Sequence, residues 1–138
     1  MMIHDLKSES DLPSLFSDRE GYSSAVKELC GMFDREVYDI IVYSGKYSGI
    51  LAGSLADRMG TCVVDASGVS ASTVPRGGKA IMMCDCLKDG KEQLEIIQNV
   101  ESYGCKVIRT GFVIEDTSCG ARKSKILKKY PFEALVAL

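Results

Sequence analysis

The sequence has no long apolar run, no basic excess, a single histidine and no Cys-x-x-Cys pair, and each absence removes a class of function. A membrane-spanning helix needs about 20 consecutive apolar residues, and no stretch approaches that. Proteins that coat DNA, RNA or anionic lipid need a basic surface, whereas 17 Lys and Arg face 19 Asp and Glu here, a formal charge of −2. That balance still permits a local basic pocket. Met1 to Ser10 is polar, without an apolar core behind a basic start, so it does not read as a secretory signal and a cytoplasmic location is expected. Zinc is disfavoured because a second ligand pair is missing and the only histidine, His4, lies in the terminal segment. No repeat, low-complexity block or linker rich in Pro, Gly and Ser interrupts the chain.

What is present fits one domain spanning residues 1–138, with residues 1–22 as an N-terminal segment. A chain of 138 residues, 46% apolar and 26% charged, can bury a core without metal or disulfide staples. Its six cysteines, Cys30, Cys62, Cys84, Cys86, Cys105 and Cys119, sit in apolar stretches and read as reduced thiols. Cys84 and Cys86 alternate along an expected strand and would share one face.

Helical and strand periods alternate. Val26, Leu29, Met32 and Phe33 predict a helix over 23–33 that ends near Glu36, capped by Ser23 or Ser24. Tyr38 to Tyr43 is a β-branched run, and Ser44-Gly45-Lys46-Tyr47-Ser48-Gly49 reads as a loop. A helix is expected from Ile50 to Met59, closed by Gly60. Thr61 to Val64 is a second strand, followed by a polar stretch from Asp65 to Gly78. Lys79 to Asp85 is continuously apolar at its centre, the mark of a strand buried on both faces. A loop from Leu87 to Lys91, a helix from Glu92 to Tyr103, a strand from Cys105 to Ile114, a basic helix from Gly120 to Tyr130 and a strand from Phe132 to Leu138 complete the reading. Such alternation implies right-handed crossovers and a three-layer α/β/α domain with a mainly parallel sheet of about five strands.

In sheets of this kind ligands sit beyond the carboxyl ends of the strands, which singles out Ser44 to Gly49 and Cys86 to Lys91. Asp85 can accept hydrogen bonds from ribose hydroxyls or hold Mg2+. Amides at the start of the following helix can bind a phosphate, with Lys88 and Lys91 adding charge. Asp85 as a turn or capping residue beside a solvated turn explains the same residues. Cys86 beside Lys88 and a helix N-terminus has a reactive-thiol reading and a plainer one as an inert thiol.

From Ala25 to Leu138 the order of these elements resembles the type I phosphoribosyltransferases, most of all the orotate enzymes. Tyr38-Asp39-Ile40-Ile41-Val42-Tyr43-Ser44-Gly45-Lys46-Tyr47-Ser48-Gly49-Ile50 looks like the family's first strand, pyrophosphate loop and helix. Ala80-Ile81-Met82-Met83-Cys84-Asp85-Cys86 looks like the strand that binds phosphoribosyl pyrophosphate (PRPP). Phe112-Val113-Ile114-Glu115-Asp116, Gly120-Ala121-Arg122 and Glu133-Ala134-Leu135-Val136 look like the C-terminal strand, acidic turn, helix and closing strand. The resemblance implies a Rossmann-like phosphoribosyltransferase fold and attack by a base nitrogen on C1 of PRPP, with loss of pyrophosphate. It implies ribose and PRPP contacts from Asp85, Cys86, Lys88, Asp89, Gly90 and Lys91, and a pyrophosphate loop of Ser44, Gly45, Lys46 and Tyr47. Mg2+ would enter only with PRPP, with Asp85 as its one weak candidate ligand, and a homodimer is implied.

Three positions depart from the family pattern. The acidic pair is Asp85 followed by Cys86, and a thiol cannot replace a carboxylate at a pair of hydroxyls. The Thr-Gly-Gly-Thr type phosphate loop is matched by Asp89-Gly90-Lys91-Glu92-Gln93, which keeps one glycine and no hydroxyl. Asp65 to Pro75 has no basic residue before Arg76 and is short for a lid, while a hood over the base is left to residues 1–22, with Leu12, Leu15 and Phe16 as anchors. These departures favour a nucleotide- or phosphoribosyl-binding module without turnover over the alternative, an active transferase. Tyr43, Lys46 and Tyr47 would also suit an interface rim. The basic residues from Arg122 to Lys129 read as a solvated face, because the chain is net acidic and no base-stacking aromatics lie nearby. Nucleic acid and membrane are not expected partners; a small phosphorylated ligand is.

Overall fold

The computed structural model describes residues 1–138. Two short 3-10 turns (Ile3–Asp5 and Glu9–Asp11) lead into α1 (Leu12–Phe16) and α2 (Arg19–Phe33). There follow β1 (Ile40–Ser44), α3 (Lys46–Met59), β2 (Cys62–Asp65), β3 (Lys79–Leu87), α4 (Lys91–Ser102), β4 (Lys106–Glu115), α5 (Ala121–Ser124) and β5 (Phe132–Ala137). The five strands are all parallel, in the order β2-β1-β3-β4-β5. After β1 the chain adds β2 on one side and then crosses back to add β3 on the other. The order therefore reverses between β1 and β3, and a crevice opens beyond their carboxyl ends.

Each face of the sheet carries its own core. Ile41, Ile81 and Met83 pack with α2 and α3 on one face, and Val42, Ala80, Met82 and Cys84 pack with Ile97 and Val100 of α4 on the other. This alternation along doubly covered strands explains why they read as continuous apolar runs. Past Asp85 the alternation breaks: Cys86 packs on the α2/α3 side and Leu87 on the α4 side, so Cys84 and Cys86 do not share a face.

The N-terminal segment is anchored more firmly than expected. Ile3 and Leu6 are buried alongside Leu12 and Leu15 in the α2/α3 core. Each such side chain contributes about 1.5–3 kcal/mol on burial, which offsets part of the entropy cost of ordering the segment. No helix is long and apolar enough to cross a membrane.

Several boundaries differ from those expected, each for a local reason. Helix α2 starts at Arg19 because Asp18 accepts from the Gly21 amide at 3.2 Å, while Ser24 bonds back to the Gly21 carbonyl from inside the helix. The supposed loop from Ser44 to Gly49 shrinks to Gly45, since α3 begins at Lys46. Gly49 is a packing residue: a Cβ there would lie 2.8 Å from the Tyr43 ring. Strand β3 continues through Cys86 and Leu87, paired with Ile114 and Glu115 of β4. The basic helix from Gly120 to Tyr130 is not formed beyond Ser124. Lys125 takes a left-handed conformation (φ 57°), and Leu127 turns inward to pack under Gly90. Only Ala121 and Leu127 of that stretch are fully buried, too few for a helical stripe.

Candidate functional site

The crevice between β1 and β3 holds a cavity of about 610 Å³, bounded by Ser44 and Gly45 after β1, Cys84 to Cys86 of β3, and Lys88, Asp89, Glu92 and Gln93 leading into α4. Glu9 and Cys119 close it from the N-terminal segment and from the turn after β4. Four carboxylates, those of Glu9, Asp85, Asp89 and Glu92, share this lining with one ammonium, that of Lys88.

Asp85 does not face the cavity as a free carboxylate. Its Oδ1 accepts from the Ser48 amide at 2.6 Å and its Oδ2 from the Tyr47 amide at 3.3 Å, which places a negative charge on the N-terminal amides of α3. Gly45 makes this approach possible. Its φ of 118° and ψ of 153° are open essentially only to glycine, and a Cβ would lie 2.6 Å from the Asp85 carboxyl carbon. Ser48, fully buried, ties the turn by donating to the Ser44 carbonyl at 2.9 Å.

The start of α4 is different. Gly90 caps it with φ 93° and no capping side chain, and Leu94 is the first residue to bond back, onto the Gly90 carbonyl at 3.0 Å. The Lys91 amide is taken by Asp89 at 3.0 Å. The amides of Glu92 and Gln93 have neither a helical acceptor nor a side-chain cap. The Gln93 side chain is 5% exposed and lines the cavity; it is bonded to no nitrogen or oxygen of the chain and has the Cys84 thiol as its polar neighbour.

Burial and the neighbouring Glu9 carboxylate push the Cys86 thiol up to about 12, with Lys88 opposing weakly. The thiol is therefore protonated at neutral pH, against the reading of a thiolate stabilised by Lys88 and the helix. Cys84 is likewise pushed up to about 12, by burial. The second acidic turn serves the fold: the Arg122 guanidinium donates to both oxygens of buried Glu115, at 3.2 and 2.9 Å, and Asp116 accepts from the Ser118 amide and hydroxyl.

No protein-family model and no curated protein matches the sequence, but solved structures do. The adenine phosphoribosyltransferase of Giardia lamblia, in complex with 9-deazaadenine, superposes with a TM-score of 0.81 at 15% identity, over 93% of this chain and 85% of that one. The adenine phosphoribosyltransferase of Thermoanaerobacter pseudethanolicus gives 0.79 at 18% identity, over 90% and 84%. Leishmania donovani UMP synthase gives 0.70 at 18% identity, over 83% of this chain and 26% of that one. This chain has the phosphoribosyltransferase fold. Identities this low speak for the fold alone and do not single out the orotate enzymes.

Within the phosphoribosyltransferase fold, the residues singled out by sequence divide into two groups. Ser44, Gly45, Asp85, Cys86, Lys88 and Asp89 line one cavity. Four others do not: Tyr47 turns inward against Phe16, with ring centroids 5.0 Å apart, Lys46 lies over the Tyr47 ring, Lys91 projects into solvent beside Asp89, and Gly90 packs on Leu127. Arg76 lies at the opposite end of the sheet, against Gly104. The stretch from Asp65 to Gly78 is folded down by buried Val69 and Val74 and by Thr73, which bonds to Ser70 and Gly68. Glu92 and Gln93 of the phosphate-loop match and Cys84 of the PRPP-strand match also line the cavity, whereas Glu9 and Cys119 were missed. Cys119 lies just beyond a strand that leads to the crevice, whereas nothing local to Glu9 announces that its segment folds over it.

Proposed function

We propose that this chain is a non-catalytic binding module of the phosphoribosyltransferase fold that takes a small phosphorylated ligand, a nucleotide or a phosphoribosyl compound, in the crevice between β1 and β3. One observation carries the reading: the cavity keeps the uncapped α4 amides and the Gln93 side chain at one end, yet has one ammonium among four carboxylates. Departure of pyrophosphate requires preorganised positive charge at the leaving group. A like-charge pair 4 Å apart costs about 4 kcal/mol at the effective dielectric of a protein surface, so this lining opposes a leaving pyrophosphate more than the lesser charge of a single phosphate held by two amides and Lys88.

Mg2+ belongs to the reading only as a companion of PRPP. Both Asp85 oxygens are engaged by amides, and no three His, Cys, Asp or Glu side chains are grouped to hold an ion, so the chain's own residues do not fit a resident metal. A homodimer is part of the proposal; the edge strand β2 leaves Val63 39% exposed, and Ile50 and Met59 of α3 are exposed as well.

Thermal shift with ribose 5-phosphate, nucleoside monophosphates and PRPP plus Mg2+ tests the module, together with a pyrophosphate-release assay in which orotate or adenine is the acceptor. The expected result is a raised Tm with at least one phosphorylated ligand and no pyrophosphate release. Release would establish the transferase instead, and no shift with any ligand would sink the module. Light scattering at twice the chain mass of 15.0 kDa is expected for the dimer.

A further inference from the structure

We propose that Asp85 is a built-in anion that occupies the pyrophosphate end of the crevice and makes the site selective for a ligand bearing a single phosphate group. The proposal rests on the binding reading above and narrows its ligand class. A helix N-terminus attracts one compact anion through its free amides and dipole, and at α3 that position is filled from within the chain. The Ser48 amide meets the carboxylate at 2.6 Å and the Tyr47 amide at 3.3 Å.

Asp85 is held there by the fold. It sits inside β3, two residues before the strand ends, and projects to the α3 side of the sheet, into space that a Cβ at position 45 would take. An anion from solution would have to displace one that is tethered at high effective concentration. It would then lie beside the displaced carboxylate, with Lys46 turned outward over Tyr47 and unable to compensate.

The α4 end has no such substitute. Helix α4 runs 12 residues from Lys91, its Glu92 and Gln93 amides are uncapped, and the nearly buried Gln93 side chain lines the cavity with only the Cys84 thiol as a polar partner. The crevice therefore offers one open anion position and one closed position, the pattern for ribose 5-phosphate or a nucleoside monophosphate and not for PRPP.

Calorimetric titration of the full chain and of Asp85→Ala with inorganic pyrophosphate and, separately, ribose 5-phosphate tests this, with circular dichroism to verify folding. The wild type is expected to bind ribose 5-phosphate and not pyrophosphate. Asp85→Ala should gain pyrophosphate affinity at least tenfold, a larger change than any in its ribose 5-phosphate affinity. Asp85→Asn, which preserves an acceptor for the amides without the charge, should gain less and serves if the alanine variant does not fold. Wild-type pyrophosphate binding as tight as that of the variants, or no gain in any folded variant, overturns the assignment. Pyrophosphate gain without ribose 5-phosphate binding in either protein would uphold the closed position of Asp85 and sink the phosphate-binding reading, so the two failures are distinct.

Discussion

Two helices open onto the same crevice, α3 after β1 and α4 after β3, and they solve the problem of unsatisfied N-terminal amides in opposite ways. At α3 a carboxylate from the neighbouring strand accepts two of the amides. At α4 a left-handed glycine starts the helix and two amides are left to the cavity. Both helices follow apolar strands, and each is entered through a glycine with positive φ, Gly45 at 118° and Gly90 at 93°. The difference lies in what stands opposite. A helix N-terminus in an α/β crevice is thus only as available to a ligand as the chain's own acids allow.

The largest effect that separates the two ends is expected at their glycines. Gly45→Ala must place a Cβ against Asp85 in a conformation that only glycine adopts readily, and should cost about 3 kcal/mol in urea unfolding. Gly90→Ala meets Cγ of buried Leu127 at 3.0 Å, a tight contact that a shift of a few tenths of an ångström relieves, and its φ and ψ lie nearer the ordinary left-handed region. About 1–2 kcal/mol is expected there. Equal losses at the two positions would remove the special status of the α3 entrance. Combining Gly45→Ala with Asp85→Ala should cost less than the sum of the two, because the variants share one contact.

Next in size is the Asp85 carboxylate itself. Removing an acceptor of charge-assisted bonds at an N-terminus costs about 1–2 kcal/mol, so Asp85→Ala should lower stability by that amount, with Asp85→Asn losing less. An unchanged urea midpoint in both variants would show that the carboxylate does not hold α3.

How far these features could be read from the sequence follows from how local their causes are. The five strands and the three layers were legible because doubly covered strands such as Ala80–Cys84 are apolar without interruption, and because Met59-Gly60 and Tyr103-Gly104 mark helix ends directly. The start of α3 was not legible, since the anion that lets it begin one residue after β1 comes from a position 37 residues away. The basic stretch after Gly120 misled for a related reason: Leu127 is drawn under Gly90 and leaves no helical stripe. Of the site, the two loops and the β3 end were visible as motifs. Glu9 was not, because it reaches the crevice only through the burial of Ile3, Leu6, Leu12 and Leu15.

A subtler change should sharpen the contrast from the α4 side. Glu92 contributes a carboxylate to the cavity lining next to its own free amide, and its side chain has no salt-bridge partner. Glu92→Gln removes one repulsive charge near the surface and should tighten ribose 5-phosphate binding by about tenfold at low salt, with the gain shrinking as ionic strength screens it. Pyrophosphate binding should not respond, because its position at α3 stays filled. Parallel gains for both ligands would mean that general charge, and not the occupied helix end, governs what the crevice accepts.

The smallest effect concerns the thiol between the two ends. Burial and Glu9 raise Cys86 from an ordinary thiol value of 9.0 to about 12 in the folded chain, so the folded state favours the protonated form. The stability tied to that preference is complete below pH 9, falls as the unfolded thiol ionises, and is lost as pH rises through about 12. Cys86→Ala should flatten the part of the alkaline unfolding profile due to this group while leaving the neutral-pH profile parallel to wild type; Cys84, raised in the same way, still contributes. Alkylation at pH 7.5 provides the complementary measurement. Exposed Cys62 and Cys119 should label well before Cys86, since a thiol held protonated is a poor nucleophile. Fast labelling of Cys86 would mean that its thiolate is stabilised after all, by Lys88 and the open α4 terminus, and would move the reactive centre of the crevice to that end.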